Sequence, residues 1–217
     1  MMIEKPTKFY SSLEENINVG SHALGFVLGI VALVFLVIKS TQHGNAWHIV
    51  SFSIYGVSLV ILYAASTLYH FAKKPVSRKR LKVFDHAAIY VLIAGSYTPY
   101  ALVTIKGMAG WLLFGFSWGI AIIGIILKLF FTGRFTIIST LAYVLMGWMV
   151  VFVFDSLTAN LSENGMFWLI AGGVSYTVGA VIYAIHKIKM NHAIFHVLVL
   201  LGSIFHFISI YYYVLEV

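Results

Sequence analysis

Long apolar runs separated by short polar breaks organise this chain. Seven runs, at about 20–38, 47–70, 84–104, 110–129, 136–154, 166–186 and 192–214, each approach the roughly 20 residues that a helix needs to cross a hydrocarbon core of about 30 Å. The breaks fall at KKPVSRKRLK (73–82), IKGMAG (105–110), TGR (132–134), DSLTANLSEN (155–164) and KIKMN (187–191). All are short, so the pattern predicts an all-α protein, one seven-helix transmembrane bundle over 20–214, with a tail at 1–19 and a short end at 215–217. No low-complexity segment or internal repeat interrupts it, and 18 glycines suit closely approaching helices.

Composition agrees: 61% of the residues are hydrophobic and 10% charged, and the mean hydropathy is +0.95, far from a soluble domain. The net charge of +7 does not point to nucleic acid, because the 14 Lys and Arg sit in the short connectors, where membrane topology explains them. The tail, the second, fourth (with Lys128 at its edge) and sixth connectors hold 12 of them, and only Lys39 and Lys106 lie on the other side. The N-terminus is therefore predicted to be cytoplasmic and the C-terminus outside, in a multi-pass protein of a cell membrane. MMIEKPTKFYSSLEEN lacks a signal-peptide cleavage site, so insertion is expected to use the first span. With no cysteine, any metal site must be built from His, Asp, Glu or backbone.

The few ionisable residues of the spans gather at one depth. Of seven acids, Glu4, Glu14 and Glu15 fall in the tail, Asp155 and Glu163 in an outside loop and Glu216 at the end; these are expected in water or at the interface. Asp85 instead begins span three on the cytoplasmic side. An acid at a helix N-terminus is stabilised by the macrodipole alone, but Asp85 has company. Span two ends with Ser66 and His70 at i and i+4, and span seven begins with His192 and His196 at the same spacing. Two imidazoles on one helix face and a third from another helix make a three-His metal site with a fourth position open to water. Intramembrane ionisable groups are functional candidates by default.

The remaining histidines divide differently. His206 follows His192 by fourteen residues, about 40° around the helix and roughly 20 Å along it, so it cannot share that ion; it belongs either to a polar path with Ser203 or to a hydrogen bond with a neighbouring helix. Asn18 and His22 are expected to tie span one to the bundle rather than bind metal. His86 points about 100° away from Asp85 on a helix, and His43, His48 and His186 read as interface residues.

E-x-x-N-x-x-x-H (Glu15, Asn18, His22), S-x-x-x-H (Ser66, His70), FDHAAIYVLIAGSYTPY (84–100) and NHAIFHVLVLLGSIFHF (191–207) together resemble the hemolysin III branch of the progestin and adipoQ receptor family, across all seven spans. That superfamily includes the adiponectin receptors and is similar to alkaline ceramidases. The resemblance implies a zinc ion near the cytoplasmic face, held by His70, His192 and His196, with Asp85 holding the water on zinc and Ser66 lining the site. The long N-terminal domain of the animal receptors is missing here, which favours the short bacterial type and a bacterial plasma membrane.

Three activities compete on this reading. A zinc-dependent hydrolase would cut an amide or ester bond of a membrane lipid, ceramide-like by resemblance, with Asp85 as general base. A sensor or regulator of membrane lipid homeostasis would carry a structural zinc, closed by direct coordination of Asp85. A cytolytic pore, the sense of the family's name, fits least, because secreted pore formers need a water-soluble state and this chain has none.

Overall fold

The computed structural model describes residues 9–132 and 136–215. Glu4, Glu216 and, among the counted cations, Lys5, Lys8 and Arg134 lie outside them. The described residues form α1 (Ser12–His43), α2 (Ala46–Phe71), α3 (Pro75–Pro99), α4 (Gly107–Phe131), α5 (Thr136–Gly147), α6 (Phe154–Thr158), α7 (Glu163–Ala184) and α8 (Asn191–Ser209). A π-helical turn, Tyr100–Ile105, continues α3, a 3-10 turn, Met149–Val153, joins α5 to α6, and a second π turn, Ile210–Val214, ends α8. Among the described residues seven helical segments are long and apolar enough to cross a membrane, α5 and α6 counting as one. The chain is thus a multi-pass, seven-helix membrane protein.

Three boundaries differ from the sequence reading. Helix α1 begins at Ser12, whose predecessor Ser11 caps it by accepting from the Glu14 amide, so part of the expected tail is helical and carries Glu15 into the bundle. The connector 73–82 is mostly helix as well: Pro75 occupies the first turn of α3, where its fixed φ and missing N–H cost nothing. The acidic 155–164 break likewise contains α6.

Packing turns aromatic and small residues inward. Phe52, Tyr55, Leu36 and Leu157 are wholly buried, while Phe116, Phe130 and Phe152 project from the outer surface, as lipid-facing side chains do. The backbone of α1 approaches α2 at Gly56, where a Cβ would stand 2.6 Å from Leu33 Cδ1. Hydroxyls tie the helices together: Tyr63 donates to Ser203 Oγ at 2.7 Å, Tyr100 to Ser209 Oγ at 2.7 Å, and Ser209 to the Gly165 carbonyl at 2.7 Å. Inside a bilayer such bonds replace the water that is absent.

The helix breaks have physical causes. Pro99 cannot donate to the carbonyl one turn back, and the backbone widens into the π turn directly after it. The break after α5 exposes a carbonyl and an N–H, and Tyr97 satisfies both: its hydroxyl donates to the Gly147 carbonyl at 2.5 Å and accepts from the Val150 amide at 3.2 Å.

Candidate metal centre

The end of the bundle predicted to face the cytoplasm gathers the C-terminus of α2 and the N-termini of α1, α3 and α8. One imidazole nitrogen each of His70, His192 and His196 lies within 4.8 Å of the other two, and all three residues are buried. The Nε2 atoms of His70 and His192 are 3.1 Å apart, close to the roughly 3.3 Å edge of a tetrahedron whose metal–nitrogen bonds are about 2.05 Å. No carboxylate oxygen among the described residues joins this group.

The outer nitrogens are held by protein. His70 Nδ1 lies 2.8 Å from Glu15 Oε2, and a carboxylate can only accept, so Nδ1 carries the proton and Nε2 presents its lone pair. The Asn18 amide nitrogen, 3.4 Å from the same Nδ1, is then a neighbour rather than its donor. His196 Nδ1 donates to the Asn18 carbonyl at 3.4 Å, which again frees Nε2. Oriented imidazoles of this kind are what a metal ligand set requires, so the cluster can hold a divalent metal ion.

Glu15 is itself fixed. Its other oxygen accepts from Arg78, which is 1% exposed and also donates to the carbonyls of Tyr69, His70 and Ala72 at 3.1 to 3.3 Å. Arg78 thus caps α2, the helix that ends on His70, and ties that cap to the carboxylate beside the ring. Stacking completes the surround: His22 lies on His196 with ring centroids 3.6 Å apart, and Tyr10 on His192 at 4.6 Å. Burial pushes the Tyr10 phenol well above its usual range, so it stays neutral.

Asp85 and Ser66 line a cavity of about 270 Å³ together with His192 and His196. The Ser66 hydroxyl neighbours the Asp85 carboxyl, buried and without hydrogen-bond geometry to any described group. His86 leaves α3 about 100° around from Asp85, yet its Nε2 comes within 4.0 Å of Asp85 Oδ2 and it too lines the cavity. The cavity runs from this end past apolar walls to His206, a helix distance of roughly 20 Å from His192. There His206 Nε2 donates to the Leu169 carbonyl at 3.2 Å, outside the metal group. Its ring packs where Gly172 leaves no room for a Cβ.

Sequence reasoning missed Glu15, Arg78, Tyr10 and Lys128, the last of which also lines the cavity. For Glu15 a signal existed: Glu15, Asn18 and His22 stand at i, i+3 and i+7, one face of a helix that starts earlier than the apolar run.

The profile of the family described as Haemolysin-III related matches residues 10–207. The chain belongs to that family. It is 44% identical over 215 residues to Hemolysin-3 of Bacillus cereus, covering 99% of this chain and 98% of that protein. It is 44% identical over 204 residues to the Hemolysin-3 homolog of Bacillus subtilis, covering 94% and 96%. Monocyte to macrophage differentiation factor of Homo sapiens is 27% identical over 215 residues, 96% of this chain and 86% of that protein, a distant link to the animal members. The family match spans Tyr10, Glu15, the three clustered histidines and His206.

Proposed function

We propose that this haemolysin-III family member is a zinc-dependent hydrolase of lipid amide or ester bonds, working from the cytoplasmic leaflet. The observation that carries this reading is the separation of roles: three histidines converge, two of them on a cavity that Asp85 also lines, while Asp85 stays out of their group. A carboxylate that closed the site would favour a structural metal; one outside the group supports a role in handling protons. His70, His192 and His196 would hold the zinc, the thiol-free, neutral-imidazole donor set being suited to it. When bound, zinc supplies a Lewis acid and a water of lowered pKa.

The protein's own residues do the rest. Asp85 accepts a proton from the attacking water and returns it to the leaving nitrogen or oxygen, as general base and then acid. Ser66, whose hydroxyl has no hydrogen-bond geometry to a described group, donates to the oxyanion that forms on the carbonyl. Glu15 and Asn18 keep the imidazoles in their working tautomers. The apolar cavity walls take the acyl chain and keep bulk water from the scissile bond.

The test is to incubate purified protein with a panel of N-acyl sphingoid bases and phospholipids, and to follow free fatty acid by mass spectrometry. Wild type should release fatty acid from at least one, and Asp85→Asn should release it at least about 100-fold more slowly, the lower range for loss of a general base. No release from any lipid, or equal release by the variant, would move the function to lipid sensing with a structural metal.

A further inference from the structure

Lys128 stands near the end of α4, where a lysine ordinarily extends its ammonium to the membrane surface. This one does not. It is 4% exposed, and its Nζ turns inward to Ser139 Oγ on α5 at 2.5 Å and lies 5.6 Å from the centroid of the Tyr143 ring. All three side chains line the cavity that His192 and His196 also line. Among the described residues no carboxylate lies within ion-pair distance of it; Asp85 is within 4.0 Å of His86, and Glu15 pairs with His70 and Arg78.

A buried ammonium without an anion is costly, and such charges are kept where they meet a ligand or a partner. An ammonium has three donors, and Ser139 takes one. The Tyr143 hydroxyl does not compete, since it donates to the His86 carbonyl at 3.0 Å. What remains is a cation with two donors to spare, beside a serine hydroxyl, in the wall of an apolar cavity on the side where charge counting places the inner leaflet. We propose that Lys128 and Ser139 form a subsite for the phosphate of an anionic phospholipid, whose acyl chain then lies along the cavity toward His206. This deepens the hydrolase reading by naming the class of lipid, and rests on it only in taking the bound lipid to be the substrate.

Native mass spectrometry of the full chain, released from neutral detergent, tests it without turnover, so a failed hydrolysis assay and a failed binding assay are separate results. The probes are phosphatidylglycerol, diacylglycerol as the phosphate-free control, and inorganic phosphate. Wild type should retain phosphatidylglycerol over diacylglycerol, and Lys128→Met should lower that retention about tenfold or more, as expected for a charge-assisted contact. Diacylglycerol retention and bound metal should be unchanged, and Lys128→Arg should restore the preference. Equal phosphatidylglycerol retention by wild type and Lys128→Met would overturn the proposal, and so would Lys128-dependent binding of inorganic phosphate alone. Should Lys128→Met lose its metal and helix content, Ser139→Ala carries the test: a several-fold fall in retention supports the subsite, and none overturns it.

Discussion

The orientation of the His70 ring is set by residues outside the three-histidine cluster. Glu15 holds its Nδ1 at 2.8 Å, and Arg78 holds both Glu15 and the carbonyls around the end of α2. Replacing Glu15 with Gln keeps the shape and removes the charge, and should weaken metal affinity about 10- to 100-fold, measured by competition with a chromogenic chelator. Unchanged affinity would mean that the carboxylate serves folding alone. The three clustered histidines were legible in the sequence, because i, i+4 spacing on α8 and a third histidine at equal depth are one-dimensional facts. Arg78 was not, lying inside a basic stretch that reads as solvated charge, and Glu15 was so only through its i, i+3, i+7 spacing with Asn18 and His22, since it lies ahead of the first apolar run. Burial of a charge depends on what packs over it, and α1 and α3 supply that packing here.

At the level of whole helices, a proline announces one break and nothing announces the other. Pro99 marks the site where α3 widens, whereas the break after α5 follows Gly147 with no proline nearby. Tyr97 makes that break tolerable by bonding both of its freed backbone groups. Tyr97→Phe strands them in an apolar environment and should cost about 1–3 kcal/mol, read as a lower midpoint in detergent unfolding. A midpoint equal to wild type would show that water or another group takes over. The same logic explains the misplaced boundary at 73–82: a basic stretch with one proline reads as a loop, but proline in the first turn is compatible with a helix, and Arg78 needs helical geometry to reach back to α2.

For the molecule as a whole, the seven spans were legible because the bilayer demands long apolar runs, while the cavity was not, since its walls come from residues far apart in the chain. Orientation rests on charge asymmetry, and the cysteine-free sequence makes it easy to test. A cysteine at the exposed Lys187 should react with an impermeant maleimide only after the cell is opened, and one at the exposed Glu163 in intact cells; the reverse pattern would invert the bundle. The metal centre is what the functional account depends on most. Elemental analysis of the purified protein should find about one zinc per chain, and a variant carrying His192→Ala and His196→Ala should hold none while its circular dichroism remains that of a helical bundle. Stoichiometric zinc in that variant, or none in the wild type after purification with zinc present, would contradict the account.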